Sequence, residues 1–212
     1  MAILAGVLVW DRESLQQGFG QLVGLSTSLL TVFLMVVGVL AATSEWSQRT
    51  ALTTFALEPR RGRIVLAKVV AVVALTAAIC AFAVAVTALA VLVGSLLTGH
   101  AAVWSVAGSV LLGLGIVVLV NAFQGLAFGF ATLNTPLAIG GLLVLPTVWT
   151  LVSMVTGIGE KLPWLDLNGA TSPIVTGDLS THTLSRFAGA VAVWVLLPLV
   201  VGIRRVLTSE VK

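Results

Sequence analysis

The stretch TSEWSQRTALTTFALEPRRGRIVLAK, residues 43–68, is the polar interruption that decides how this chain folds. It holds five of the 11 Lys and Arg residues, and long apolar stretches lie on both sides of it. Because charged side chains are scarce elsewhere, this segment must face water while its neighbours need not. We therefore expect a water-exposed segment between two membrane-spanning helices, and it is the best candidate for an interaction with a cytosolic partner.

The composition of the chain sets its broad class. Hydrophobic residues make up 58% of the 212 residues and charged residues only 9%, with a mean hydropathy of +1.14. A soluble protein needs more charge to cover its surface, and several segments exceed the roughly 20 apolar residues that cross a bilayer. These properties predict an all-α integral membrane protein, a polytopic helical bundle, with one transmembrane domain over residues 1–212. A net charge of only +3, with basic residues beside apolar spans, indicates membrane orientation and no nucleic-acid partner.

Five full membrane spans are expected from the apolar pattern. They cover residues 22–42, 64–97, 101–133, 136–156 and 184–203. Residues 64–97 are too long for one crossing and too short for two, so we expect one long helix whose first turns, with Lys68, leave the membrane. Asn134-Thr135-Pro136 should break the pattern, because proline disfavours helix at the preceding residue. Pro146 is expected to kink its span.

The first ten residues are apolar but reach only about half-way across a hydrocarbon core. They have two interpretations: a short interfacial anchor, or the outer half of a first transmembrane helix whose beginning this sequence lacks. We favour the second interpretation, because Asp11-Arg12-Glu13 then becomes a short loop to the next span. The bundle would then have five full helices and one partial helix.

Basic residues predict the orientation, since cytosolic segments carry the excess of Lys and Arg. With residues 43–68 inside, eight basic residues are cytosolic and three are outside. The cytosolic residues are Arg49, Arg60, Arg61, Arg63, Lys68, Arg204, Arg205 and Lys212, and the outer residues are Arg12, Lys161 and Arg186. We therefore expect a multi-pass protein of the cell (plasma) membrane with a cytosolic C-terminus and an outer loop over residues 158–183.

The expected outer loop contains Asp166, Asp178 and His182, but their spacing fits no tight set of metal ligands. We expect an ordinary solvated loop and no metal site. Within the spans, Asn121 and Gln124 are the strongest polar groups. They either line a substrate path or form hydrogen bonds between helices, which is the commoner use.

Two further patterns concern packing and chemistry. Gly125 and Gly129 have the small-xxx-small spacing that permits close approach of two helices. The sequence has no G-x-x-x-x-G-K-[ST] phosphate loop, no H-E-x-x-H and no G-x-S-x-G. We therefore expect no catalytic residues and no cofactor in this chain. If it moves a substrate uphill, another polypeptide supplies the energy.

The run ATSEWSQRT at residues 42–50, followed by LEPRRGRIVLAK at residues 57–68, resembles the ABC-2 type permease family of bacterial, especially actinobacterial, membrane subunits. Members carry an acidic-aromatic pair after the second span, then a G-T step, a P-x-R turn and a lysine that opens the third span. The chain departs from the family at Arg49, where many relatives have glycine. It also departs at the N-terminus, where the family has an amphipathic helix and a complete first span.

The resemblance implies a six-helix permease half. In the family, two halves, identical or different, dock on two ATP-binding cassette ATPase subunits, and these subunits bind ATP and Mg²⁺. Residues 43–63 would form the coupling helix that touches the ATPase. By the resemblance, Glu45 and Trp46 begin that helix, Arg49, Thr50 and Thr53 lie along it, and Pro59, Arg60 and Arg61 form the turn into the third span.

Elementary helix chemistry is consistent with that role. Thr43 or Ser44 would cap the helix, and Glu45 near its N-terminus would favour the helix dipole. The alternative is a charged loop that only orients the protein in the membrane.

Three functional classes stay open. The first is the membrane subunit of an ATP-driven exporter, and the second is a non-transporting anchor or assembly subunit. The third is a lipid-modifying enzyme, which would need an acidic or histidine cluster at the membrane surface. An apolar path suits lipids, hydrophobic drugs and peptides alike.

Overall fold

The computed structural model describes residues 19–58, 60–98, 104, 106–156 and 162–208. These residues form seven α-helices, one 3₁₀ turn and no strand. The helices are α1 (Phe19–Ser47), α2 (Ala51–Leu57), α3 (Arg61–Thr98), α4 (Gly108–Thr132), α5 (Thr135–Thr156), α6 (Leu167–Val175) and α7 (Thr181–Thr208). The expected half-span at residues 1–10 lies outside the described residues.

Five of these helices, α1, α3, α4, α5 and α7, are long and apolar enough to cross a membrane. The prediction of an all-α polytopic membrane protein is therefore confirmed. The long helix predicted over residues 64–97 is also confirmed, because α3 runs without a break for 38 residues. At 1.5 Å per residue α3 is about 57 Å long, so it extends well beyond a hydrocarbon core of about 30 Å.

Helix α4 is the centre of the bundle. Half of it is buried inside the protein, against 11% of the apolar stretch of α5 and 17% of that of α3. Its neighbours are α1, α7, α5 and α3, and the short helix α6 packs near its beginning. The outer helices present many exposed apolar side chains, including Phe82 and Leu89 on α3 and Leu143 and Leu151 on α5. A bilayer is the surrounding that makes this surface stable.

Glycines set the close contact between α1 and α4. A methyl group added at Gly38 would collide with main-chain atoms of Ala122, and one at Gly125 would collide with the main chain of Met35. A methyl group added at Gly129 would collide with the side chain of Ala42. The close approach predicted from Gly125 and Gly129 is therefore confirmed, and it explains why α1 is the main partner of α4.

The predicted break before α5 is confirmed. Leu133 adopts a left-handed conformation with φ of 53°, and its N–H donates to the Gly129 carbonyl (2.9 Å). The Asn134 side chain then caps α5 by accepting from the Leu137 N–H (3.1 Å). Pro136 lies in the first turn of α5, where its missing N–H costs nothing. Pro146 lies inside α5, and the kink expected there stays a prediction.

Helix α7 is longer than the predicted span at residues 184–203, and it contains a π-helical segment at Ala192–Leu196. Pro198 has no N–H for the carbonyl of Trp194, which lies four residues earlier, so the regular ladder cannot continue there. The side chain of Trp194 makes a separate contact: its indole N–H donates to the Leu165 carbonyl (2.7 Å). This bond holds the 3₁₀ turn Pro163–Leu165 against α7.

The expectation of a solvated loop over residues 158–183 is wrong for its described part. Helix α6 forms there, and Ala170 and Ile174 on it are buried, with exposed fractions of 2% and 0%. The carbonyl of Ile174 packs directly on Gly113 of α4. The segment folds onto the end of the bundle because its apolar side chains are buried there against α4. We call this α6-capped end the distal end.

Candidate functional site

The charged residues of the described chain gather at the other end of the bundle, where α1, α4 and α7 finish and α3 and α5 begin. We call it the basic end. It holds seven of the eight described Lys and Arg residues, all except Arg186, and only two acidic residues. The basic residues are Arg49, Arg60, Arg61, Arg63, Lys68, Arg204 and Arg205, and the acidic residues are Glu45 and Glu58. Seven positive and two negative charges leave a net charge of +5.

The central contact of the basic end is an ion pair between Glu45 of α1 and Lys68 of α3. The Lys68 ammonium donates to Glu45 Oε2 and to the carbonyl of Ala42 (3.2 Å), and Ser44 Oγ donates to the same carboxylate oxygen (3.1 Å). The ammonium also lies 5.9 Å from the ring centre of Phe130 in α4. Only 13% of the Lys68 side chain and 18% of the Glu45 side chain are exposed. The pair therefore joins α1, α3 and α4 in a site that is largely shielded by protein.

Hydroxyl and guanidinium groups connect the other helix ends. Thr43 is fully buried, and its hydroxyl is 2.7 Å from that of Thr135 at the start of α5. Arg61 Nη1 donates to the Val206 carbonyl in the last turn of α7 (3.1 Å), and Arg205 Nη1 donates to the Ala131 carbonyl in the last turn of α4 (2.7 Å). The last carbonyls of a helix lack partners within that helix and favour positive charge, so each arginine stabilises a neighbouring helix end.

The expected helix beginning at Glu45 is wrong. Glu45 and Trp46 lie in the last turns of α1, and Ser44 donates hydrogen bonds within α1 instead of capping a new helix. The chain then turns at Arg49, which adopts a left-handed conformation with φ of 57°. The Thr50 N–H donates to the Glu45 carbonyl (2.9 Å) and the Arg49 N–H to the Trp46 carbonyl (3.4 Å). These two bonds form a Schellman ending of α1.

Helix α2 follows this turn directly. Thr50 precedes it and accepts the Thr54 N–H through its carbonyl (3.0 Å), and Thr53 donates its hydroxyl to the same carbonyl (2.8 Å). Thr50 and Thr53 are exposed, as are Leu52 and Leu57, whose exposed fractions are 57% and 87%. Helix α2 thus has few contacts with the bundle and presents polar and apolar side chains to its surroundings.

The turn into α3 is short. Pro59 lies outside the described residues, Arg60 is exposed, and α3 begins at Arg61. Glu58 accepts from the Arg60 N–H (3.1 Å) and forms an exposed ion pair with Arg63 (3.5 Å). Because this pair is solvated, it contributes far less to stability than the shielded pair of Glu45 and Lys68.

The two amides singled out in the spans behave differently. Asn121 donates from Nδ2 to the Val117 carbonyl of its own helix (2.8 Å), so this bond does not link two helices. Gln124 is buried, with an exposed fraction of 3%. The structure also contains an apolar cavity of about 110 Å³ between α1, α3 and α4, lined in part by Thr27 and Cys80. Neither amide lines this cavity.

Sequence reasoning missed the pairing of Glu45 with Lys68 and the capping roles of Arg61 and Arg205. A signal for the ion pair exists in the sequence. Glu45 is the one acidic residue at the end of the span before the polar segment, and Lys68 is the one basic residue inside the span after it. Antiparallel neighbours bring such ends together. No comparable signal identifies the carbonyls that the two arginines cap.

Comparison of the chain with protein-family models, with curated proteins and with solved structures gives no match.

Proposed function

We propose that the chain is the membrane-spanning permease subunit of an ATP-binding cassette exporter, and that a separate ATPase subunit supplies the energy. The observation that carries this proposal is α2, a short exposed helix between two membrane spans, joined to α1 by a hydrogen-bonded turn at Arg49. The resemblance of residues 42–50 and 57–68 to the ABC-2 type permease family supports the same assignment. ATP and Mg²⁺ belong to the ATPase subunit in this proposal, since the chain has no phosphate-binding loop.

The contacts of the basic end provide a route for mechanical coupling. Force applied to α2 passes through the turn at Arg49 to the last turns of α1. The ion pair of Glu45 with Lys68 then connects α1 to α3, and the contact of Lys68 with Phe130 extends the connection to α4. Packed helices transmit such displacements because their interiors resist deformation.

We separate two proposed roles by exposure: transmission within the bundle and contact with the ATPase. Glu45 already has an internal partner, so we assign it to transmission within the bundle. Arg49, Leu52 and Thr53 are exposed and are assigned to contact with the ATPase, with Thr50 beside them. A second permease half, identical or different, would complete the transporter, and the exposed apolar surface of the outer helices offers area for it as well as for lipid.

The orientation belongs to the same proposal: the basic end is cytosolic in the plasma membrane and the distal end is outside. Single cysteines at Ser47 and Ser172, in a Cys80→Ser background, test it because both serines are exposed in the structure. An impermeant thiol reagent applied to intact cells should label the cysteine at 172 and not the one at 47. The opposite pattern would reverse the orientation.

Purification of the tagged full chain from native membranes tests the function. We expect an ATP-binding cassette subunit to co-purify in mild detergent and to hydrolyse ATP in the complex. Thr53→Arg should abolish this co-purification, because it places a bulky charge on the exposed face of α2. Ser172→Arg is the matched control, since it adds the same side chain at an exposed position of α6 at the distal end, and it should leave the complex intact.

Two results would separate the proposal from its alternative, a non-transporting anchor for a cytosolic partner. The ion-pair variant Lys68→Met should retain the ATPase and lose ATP-dependent transport if the coupling route is correct. Retention of the partner with no transport activity even in the unchanged chain would favour the anchor. Recovery of no ATPase at all would refute the transporter assignment.

A further inference from the structure

A group of five arginines lies where the start of α3 meets the end of α7, and the proposed coupling route does not use it. The group, which we call the junction cluster, comprises Arg60, Arg61, Arg63, Arg204 and Arg205. We propose that the junction cluster binds the phosphate headgroup of an anionic phospholipid.

The fold creates this cluster from two distant parts of the chain. Arg61 Nη1 donates to the carbonyls of Val206 (3.1 Å) and Leu207 (3.4 Å), which lie 145 and 146 residues away in sequence. This contact brings the start of α3 and the last turn of α7 together. Arg60 directly precedes Arg61, and Arg204 lies two residues before Val206, so both of these exposed arginines lie close to the junction in sequence.

Among the described residues, the cluster contains five arginines and one carboxylate, that of Glu58, which gives a formal net charge of +4. Glu58 is engaged by Arg63 at 3.5 Å, and 62% of the Arg63 side chain is exposed. Like charges held this close repel one another, so a bound anion would stabilise the surface.

The position of the cluster along α3 and α7 favours a lipid headgroup as its ligand. The proposal places the guanidinium groups beside the lipid phosphates, because the cluster directly flanks the apolar runs of both helices, which begin after Arg63 and end before Arg204. Guanidinium groups match phosphate oxygens in a bidentate geometry, which favours arginine over lysine for this task.

Apolar side chains complete the surface on the membrane side of the cluster. Leu66 and Val70 on α3 and Val200 on α7 are each more than half exposed, with exposed fractions of 60%, 57% and 51%. They can carry the acyl chains of a lipid whose phosphate contacts the arginines. An acidic soluble protein would reach the charged rim but would leave these side chains without a partner. The combination therefore favours a phospholipid over a protein.

The test compares lipids with identical acyl chains on the purified full chain. Native mass spectrometry from a neutral detergent should show that phosphatidylglycerol is retained in preference to phosphatidylcholine. The variant Arg60→Gln/Arg204→Gln should lower that preference about 25-fold, since each arginine near an anionic surface contributes about fivefold. Arg186→Gln, which removes a charge from the distal part of α7, is the matched control and should leave the preference unchanged.

Salt dependence provides a second measurement that needs no variant. The preference of the unchanged chain for phosphatidylglycerol should fall as the salt concentration rises, because ions screen exposed charges. Inorganic phosphate, added at the concentration of the lipid and at constant ionic strength, should not displace the lipid, since it lacks the acyl chains. Equal retention of the two lipids, or an unchanged preference in the double variant, would overturn the proposal. Displacement by inorganic phosphate would show a free-anion site and would also overturn it. Because none of these measurements involves an ATPase, they stand apart from the proposed transport function.

Discussion

The two ends of the bundle are held together by different forces. At the basic end, side chains cross from helix to helix: Lys68 meets Glu45, Thr43 meets Thr135, and Arg205 reaches a carbonyl of α4. At the distal end, the main chain of Ile174 packs closely on Gly113, and the Ile174 side chain is buried in an apolar cluster with Val117 and Phe187. Polar cross-links are directional and depend on charge, whereas apolar packing depends on shape alone. Polar contacts between helices can respond to a partner that binds from the water, which suits the proposed ATPase contact at the basic end. The packing of α6 at the distal end suits a part of the protein that stays fixed.

The largest expected effects come from filling the glycine contacts on which both ends depend. Gly125→Ala should destabilise the protein by about 3 kcal/mol or more, because a methyl group there collides with the main chain of α1 and neither backbone can yield cheaply. Gly113→Ala should act similarly at the distal end through Ile174. Gly115→Ala is the control, since open space surrounds it, and alanine there should gain up to about 1 kcal/mol in helix propensity.

Thermal denaturation in detergent, followed by the fraction of monodisperse protein, measures these differences. If Gly125→Ala is as stable as Gly115→Ala, the close approach of α1 and α4 is incorrect.

The ion pair of the basic end gives the next effect. Lys68→Met should lower the free energy of unfolding by about 3 kcal/mol, because it leaves the shielded carboxylate of Glu45 without its cation. The double variant Glu45→Gln/Lys68→Met should recover much of that loss, since no unpaired charge then remains. The exposed pair of Arg63 with Glu58 is the control. Arg63→Met breaks it and should lower the free energy of unfolding by less than about 1 kcal/mol. Equal losses for Lys68→Met and Arg63→Met in the same denaturation assay would show that the two pairs do not differ in shielding.

Sequence reasoning predicted the elements whose signals are local. The unbroken α3 follows from its uninterrupted apolar run, and the turn before α5 follows from Pro136. The close helix contact follows from the spacing of Gly125 and Gly129. Each of these depends on residues that are neighbours in sequence.

The failures have a tertiary cause. The polar run after Ala42 looked like the start of a new helix, yet α1 continues through Glu45 because Lys68, 23 residues later, supplies its partner. Residues 158–183 suggested a solvated loop because they carry ordinary polar residues such as Asp166 and Asp178, but Ile174 is buried against Gly113 of α4. The cavity near Cys80 and the junction of Arg61 with Val206 likewise depend on helices that meet only after folding.

A smaller effect concerns the turn that connects α1 to α2. Arg49 has a left-handed conformation, which costs a residue with a side chain about 1 kcal/mol or more and costs glycine almost nothing. Arg49→Gly should therefore stabilise the described fold slightly. Ser47→Gly, two residues earlier at the last position of α1, should destabilise it by less than about 1 kcal/mol. If both glycine variants are destabilising, the Schellman turn does not form at Arg49. If Arg49→Gly also weakens ATPase binding while it raises stability, the arginine side chain itself contacts the partner.

The smallest expected effect is a pH dependence confined to the distal end. The Asp178 carboxylate accepts hydrogen bonds from the Thr183 hydroxyl (2.8 Å) and the Ser180 N–H (3.0 Å), and these bonds lower its pKa below the ordinary value. A lowered pKa in the folded state adds stability above the unfolded pKa of about 4, and that stability is lost as the pH falls through the folded pKa. The unchanged protein should therefore lose thermal stability more steeply below about pH 4 than Asp178→Asn does, while Thr183→Val should reduce the dependence by removing the stronger bond. Because Asp178 is exposed, the difference should be small. Parallel curves for the unchanged protein and Asp178→Asn would mean that this carboxylate contributes nothing to the start of α7.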